Sequence, residues 1–283
     1  MLKKYNVFKG YGGNNMDSII EISNLKFSYE NNIVFDNLSM EIDRGDFISI
    51  VGPNSSGKTT LARLLFGLIE SDCICIDGEK LTPQNLSSIR KKIGVVFGES
   101  SRNFIFDNVF DDLVFRMENL GYSSLEIDKN LEYVCKLLDI KDLLQKNIND
   151  LSGGEKQLVL LANALVLKPS ILLLDDALSM IDKNSKKRIL SLLLELHDTT
   201  DITIVNITND LEETLFSDKI AIINNGTIVT KGYTNDVLLE EKVIKSNGLD
   251  LPFVTDLSIN LKYYNLVDEL IPTLDEMVVR LWQ

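Results

Sequence analysis

The chain has 283 residues, 45% of them hydrophobic, enough for one large buried core or for one large domain and one small. Its formal charge of -13 argues against a nucleic-acid-binding surface. No apolar run approaches the roughly 18 residues of a membrane span, so a membrane role has to pass through a partner protein.

Residues 1–17 read as an N-terminal extension. The lysines near Met1 are not followed by an apolar signal-peptide segment, and no core periodicity appears before Met16. Gly12-Gly13 can be encoded by the purine run that bacterial ribosomes bind. Asn14-Asn15 then give a workable spacing, so Met16 is the expected start and residues 1–15 an untranslated leader. Fold-like patterning opens at Ile19-Ile20-Glu21-Ile22 and continues through Phe27-Ser28-Tyr29 and the alternating Ser39-Met40-Glu41-Ile42, a pair of strands. Tyr29 has two readings, a packing aromatic or a ring that stacks on a base.

Phe47-Ile48-Ser49-Ile50-Val51 is a buried strand leading into Gly52-Pro53-Asn54-Ser55-Ser56-Gly57-Lys58-Thr59, which has the G-x-x-x-x-G-K-[ST] form of a P-loop and opens a helix from Thr59-Thr60 onward. Gly52 and Gly57 let successive backbone N–H groups turn inward on phosphates at a helix N-terminus. Lys58 is then expected on the β and γ phosphates, and the Thr59 hydroxyl on Mg²⁺.

Beyond this helix, Cys73-Ile74-Cys75-Ile76 reads as a strand with a turn at Asp77-Gly78, and Ile93-Gly94-Val95-Val96-Phe97 as a buried strand. Asn108 to Leu144 reads as a helical subdomain, with Leu131, Val134, Leu137 and Leu138 on one face. It ends in Leu151-Ser152-Gly153-Gly154-Glu155, where Ser152 and Glu155 have capping-box spacing. The two glycines also make this helix start a phosphate site, and the residues alone leave both readings open. Ile171-Leu172-Leu173-Leu174-Asp175-Asp176 is a buried strand with carboxylates at its C-terminal end, where ligands bind in open α/β sheets. Cys73, Cys75 and Cys135 lack metal-ligand spacing and read as reduced buried thiols. The single histidine, His197, sits at an apparent helix end and reads as a capping or surface residue.

In this order, the P-loop, the LSGGE run at 151–155 and the LLLDD strand at 172–176 resemble the nucleotide-binding subunits of ATP-binding cassette (ABC) proteins. The resemblance implies an α/β P-loop NTPase of ABC type. Its parts are a RecA-like core, an antiparallel β subdomain, a helical signature subdomain over about 100–155 and a C-terminal helical extension. It places the nucleotide-binding domain at 18–240 and the extension at 241–283. It makes Tyr29 the adenine-stacking aromatic, Asp175 a Mg²⁺ ligand through water, Ser152, Gly153 and Gly154 the signature that serves a partner's ATP, and Asp182 the D-loop residue coupling two sites. The tail from Gly248-Leu249-Asp250-Leu251-Pro252-Phe253 to Trp282, with Val109 to Phe115, resembles the ATPases of energy-coupling factor (ECF) transporters of vitamins and metals. That implies a second ATPase, a transmembrane coupling subunit and a substrate-binding membrane subunit as partners, no nucleic acid, and a peripheral location on the cytoplasmic face of the membrane. The coupling subunit is expected around residues 98–116.

Three positions depart from the family pattern. Gly98 stands where a Gln follows the strand at 93–97, Asp176 where a Glu follows the Mg²⁺ Asp, and Asn209 where a switch His follows the strand at 202–207. Ala177-Leu178 also replaces the usual Pro-Thr. All three positions face one ATP, whereas the signature is intact. The expected assembly, favoured over a homodimer with poor turnover, is a heterodimer in which this chain holds a slow site and completes its partner's fast one, and restoring the three side chains together should raise hydrolysis. The alternative is a non-transport ABC ATPase acting as an ATP-gated clamp.

Overall fold

The computed structural model describes residues 18–98, 104–268, 271 and 274–281. The Met16 start and the tail end at Trp282 lie outside them. The elements run β1 (Ser18–Tyr29), β2 (Asn32–Asp43), β3 (Phe47–Val51), α1 (Lys58–Leu65), β4 (Ile74–Ile76), β5 (Glu79–Lys80), α2 (Leu86–Lys92), β6 (Ile93–Phe97), α3 (Val109–Asn119) and α4 (Ser124–Leu138). They continue with α5 (Gly153–Leu165), β7 (Ile171–Asp175), α6 (Lys183–Thr199), β8 (Thr203–Thr208), α7 (Leu211–Thr214), β9 (Lys219–Asn224), β10 (Thr227–Tyr233), α8 (Thr234–Leu238), α9 (Glu241–Ser246), α10 (Phe253–Tyr263) and α11 (Leu274–Leu281).

Two sheets carry the chain. A six-stranded sheet has the order β10-β9-β3-β8-β7-β6, with β9, β3, β8, β7 and β6 parallel and β10 antiparallel at the edge. Every residue of β3, β7 and β8 is buried. That is why these strands read as unbroken apolar runs: a parallel strand covered on both faces has no wet side to mark by alternation. A four-stranded antiparallel sheet, β2-β1-β4-β5, packs over one face, sharing a core in which Ile20, Phe35 and Leu38 meet Leu61 and Leu64 of α1 and Ile48, Ile50 and Val205 of the larger sheet. On the other face, Leu172, Leu174 and Ile204 meet Leu158 and Leu161 of α5 and Ile189 and Leu193 of α6.

The helical stretch expected from 108 to 144 is two helices and a 3₁₀ turn at Lys141–Leu143. Gly121, at φ 76°, makes the break after α3, and a Ser123–Glu126 capping box restarts the chain as α4. At the end of the chain, Val254, Ile271 and Met277 form a small core of their own. At the start of α10, Phe253 N–H donates to Glu212 Oε1 of α7 at 2.8 Å.

Candidate functional site

The C-terminal ends of four adjacent parallel strands converge. Register pairs Val51 of β3 with Thr208 of β8, Ile207 of β8 with Asp175 of β7, and Asp175 with Phe97 of β6. The P-loop, Asn209, Asp175-Asp176 and Gly98, far apart in sequence, therefore leave the sheet side by side. The P-loop glycines are fixed by space. A Cβ on Gly52 would lie 2.1 Å from the Ile223 carbonyl oxygen, and one on Gly57, at φ 99°, would meet Phe35 and Val34 at 2.9 Å. Gly57 then caps α1, aiming that helix N-terminus into the cradle.

Within the cradle, Lys58 is buried and its Nζ donates to the carbonyl oxygens of Gly52 at 2.7 Å and Pro53 at 3.0 Å. Burial lowers its pKa, against the raising charges of Asp176 and Asp175. The exposed Thr59 hydroxyl donates to Asp175 Oδ1 at 3.4 Å, and Thr60 is half-buried beside it. Burial, with the charge of Asp176, lifts Asp175 to about 6, although Thr59, Arg63 and Lys58 pull the other way. A buried carboxylate beside a second acid is a site that gains from a cation. Ser56 Oγ and Asp176 Oδ1 are enclosed without a hydrogen-bond partner. Asn54 and Ser55 are exposed, and Asn209 Nδ2 donates to Asn54 Oδ1 at 3.3 Å.

Three expectations change here. Asp176 is not part of the buried strand: it is half-buried with φ 49°, its N–H donating to the Ile207 carbonyl at 2.8 Å and its carbonyl accepting from Ser179 Oγ at 2.8 Å. Asp tolerates this left-handed conformation better than most residues do. Gly98 is more than a missing side chain. Its N–H donates to the Asp175 carbonyl at 2.8 Å, and a Cβ there would lie 2.5 Å from the Asp176 carbonyl oxygen and 3.0 Å from its carbon. A residue larger than glycine at 98 has to push the backbone off the end of β7, so restoring its side chain alongside the other two is not a simple repair. His197 is neither a cap nor a surface residue. Its side chain is only 12% exposed, its Nε2 is 3.0 Å from Asp218 Oδ2, and its ring packs edge-on against Phe47.

Ser152 caps α5, accepting from Glu155 N–H at 3.3 Å while Glu155 Oε2 accepts from Ser152 N–H at 2.8 Å. These bonds and Lys146 hold the Glu155 carboxyl down to about 2. The signature packs on the start of α6. A Cβ on Gly153 would lie 3.8 Å from the Ile181 side chain, and Gly154 leaves room for Ser185, which a Cβ would meet at 2.7 Å. Asp182, exposed, caps α6 by accepting from Asn184 and Ser185 N–H groups at 3.0 Å. Tyr29 is exposed at the end of β1, edge-on to Phe27 at 4.9 Å. Cys135 is buried as expected, whereas Cys73 and Cys75 are half-buried; all three are free thiols.

A family profile described as ABC transporter matches residues 35–179, from β2 through the P-loop and signature to the end of the Asp175-Asp176 turn. The chain belongs to the ABC transporter family. As an ABC ATPase subunit it binds ATP. Among curated relatives, the energy-coupling factor transporter ATP-binding protein EcfA of Pediococcus pentosaceus is 38% identical over 243 residues, 84% of this chain and 87% of that one. EcfA1 of Streptococcus pneumoniae is 36% identical over 275 residues, 95% of this chain and 99% of that one. Among solved structures, cbiO1 of Clostridium perfringens, part of the ABC transporter complex cbiONQ, aligns with TM-score 0.74 at 28% identity over 83% of this chain and 96% of that one. A bacterial ABC transporter cassette solved as a dimer aligns at TM-score 0.68 and 25% identity, over 76% and 98%.

Sequence reasoning missed a buried polar cluster behind Asn209. Asn206 and Glu213, 1% and 2% exposed, are joined by an Asn206 Nδ2 to Glu213 Oε2 hydrogen bond of 3.0 Å, and Lys186 of α6 reaches both Glu213 and Asp210. The signal was present as acids three apart, at 210 and 213, directly after the switch position.

Proposed function

We propose that this chain is the energising subunit of an ECF-type importer of vitamins or metal ions, paired with a second, unlike ATPase, and that its own ATP site is slow while its signature completes the partner's site. The observation that carries the transport reading is the extent of likeness to EcfA1. It spans 95% of this chain, so it reaches beyond the cassette to include α10.

In this reading Lys58 leaves the Gly52 and Pro53 carbonyls to take the β and γ phosphates, while the P-loop N–H groups and the α1 N-terminus receive the rest of their charge. Tyr29 offers a ring face to the adenine. Thr59 and Asp175 supply hard oxygen donors suited to Mg²⁺, which would stabilise charge on the transferring phosphate. Among the described residues no group of three or more His, Cys, Asp or Glu could hold a metal, so the ion would depend on phosphate oxygens as well. Asp176 would orient the attacking water, from a side chain one methylene shorter than Glu. Misplacement by about 1 Å can cost about 10²-fold in rate. Asn209 is already engaged by Asn54, and Gly98 brings no side chain. Ser152, Gly153 and Gly154, exposed or half-buried around a capped helix start, remain free to serve a partner's nucleotide, with Asp182 beside them.

Support for the seat of the membrane subunit comes from a groove of about 740 Å³ lined by Leu86, Arg90, Val96, Phe115, Arg116 and Leu120. It lies between α2, β6 and α3, next to the stretch expected to receive that subunit. No helix among the described residues is long and apolar enough to cross a membrane, so attachment would run through this contact. Affinity purification of the chain from its native source tests the assignment. Membrane proteins and a second ATPase in the eluate support it; soluble partners alone would point to a clamp and overturn it.

A further inference from the structure

We propose that Lys186 is a positioning residue for the ATP site, holding the loop that carries Asn209 by bridging Asp210 to the buried Glu213. Lys186 Nζ lies 2.8 Å from Asp210 Oδ2 and 2.9 Å from Glu213 Oε1, and its side chain is 17% exposed. Glu213 is locked from behind by Asn206 of β8, so the ammonium is anchored on a fixed carboxylate and not on a mobile surface acid. The Asp210 arm reaches the residue directly after Asn209. Asp210 also accepts from Glu212 N–H through Oδ1 at 3.0 Å and donates its own N–H to Thr208 Oγ1 at 3.1 Å, which leaves the loop few ways to relax while Lys186 holds Oδ2.

Lys186 is also one helical turn beyond Asp182. Its N–H donates to the Asp182 carbonyl at 2.9 Å, and the Asp182 side chain caps the same helix. The first turn of α6 therefore joins the D-loop to the Asn209 loop, and Asn209 in turn touches the P-loop through Asn54. A shift of the D-loop would be carried to the nucleotide site by a charge-assisted contact of low conformational freedom. The proposal rests on the reading of Asn209 as the group that faces the γ-phosphate.

The test uses the complex co-purified with the chain and compares kcat with KM for ATP. Lys186→Met alone strands the Glu213 charge, so the informative variant is Lys186→Met with Glu213→Gln, which removes both charges and keeps the Asn206 bond. Asp210→Asn, which keeps the α7 cap and the Lys186–Glu213 pair, is the second variant. Each should lower kcat to the level of Asn209→Ala, with KM within about twofold and Tm close to wild type, because the contact orients and does not bind. In an Asn209→Ala background neither should lower kcat further. Wild-type kcat in both variants, or a further multiplicative loss in the Asn209→Ala background, overturns the proposal. Wild-type kcat for Asn209→Ala itself would instead remove the reading of that residue, and the proposal with it.

Discussion

Gly98→Ala adds one methyl group at the point where the end of β6 rests on the end of β7. The new carbon would sit 2.5 Å from the Asp176 carbonyl oxygen, 3.0 Å from its carbon and 3.2 Å from the Asp175 oxygen. All three are backbone atoms, so no side-chain rotation relieves the contact. Overpacking of this kind costs about 1–3 kcal/mol. For a domain of this size that is roughly 2–4 °C in Tm per kcal/mol. The Gly98 N–H to Asp175 carbonyl bond should be stretched as well, displacing Asp175 and Asp176 from the P-loop. Thermal unfolding of the purified chain should therefore show a lower Tm for Gly98→Ala, and a larger loss for Gly98→Gln. The consequence for activity is specific. Asp176→Glu with Asn209→His should raise ATP hydrolysis by the complex, and adding Gly98→Gln should give no further gain. A Tm unchanged in Gly98→Ala, together with a triple variant faster than the double, would refute the packing argument and restore the simpler view of three missing side chains.

Two further predictions concern pH. Asp175, lifted from 3.8 to about 6 by burial and Asp176, gives the nucleotide-free chain stability that is fully present below 3.8 and lost as pH rises through about 6. Asp175→Asn should remove that loss, so its stability advantage over wild type should grow by roughly 3 kcal/mol between pH 4 and 7 in denaturant titrations; a constant difference would count against a buried acid pair. Burial opposes the charged form of His197, but the hydrogen bond and charge of Asp218 outweigh it and leave the pKa raised above 6.5. Its contribution is therefore present below pH 6.5 and fades as pH rises through the folded value, so wild type should lose Tm relative to His197→Gln over that range, and parallel profiles would contradict the pairing.

Much of this was legible because it is written locally. The P-loop spacing, the unbroken β7 run and the Ser152–Glu155 box each depend on residues within one turn or one strand, where periodicity and capping chemistry are visible. What escaped depends on register between distant segments. Gly98 looked like a deletion of chemistry because its neighbour, the Asp176 carbonyl, is 78 positions away and is brought to it only by the Phe97–Asp175 pairing. His197 looked like a surface helix end because Phe47 and Asp218, which enclose it, come from β3 and from the approach to β9. Lys186 carries no local signal at all; its partner Glu213 is buried by the return of the chain through α7.

The central claim is the division of labour between a slow site in this chain and a fast one completed by its signature. The most direct test is to compare Lys58→Ala with Ser152→Arg in the purified complex and measure steady-state ATP hydrolysis. Lys58→Ala removes the ammonium proposed to bind phosphate in this chain's own cradle and should reduce the rate only in part. Ser152→Arg places a long side chain at the cap of α5, where the partner's nucleotide is expected, and should abolish it. Equal and complete loss from both would mean that the two sites are equivalent or obligately coupled, and would contradict the account.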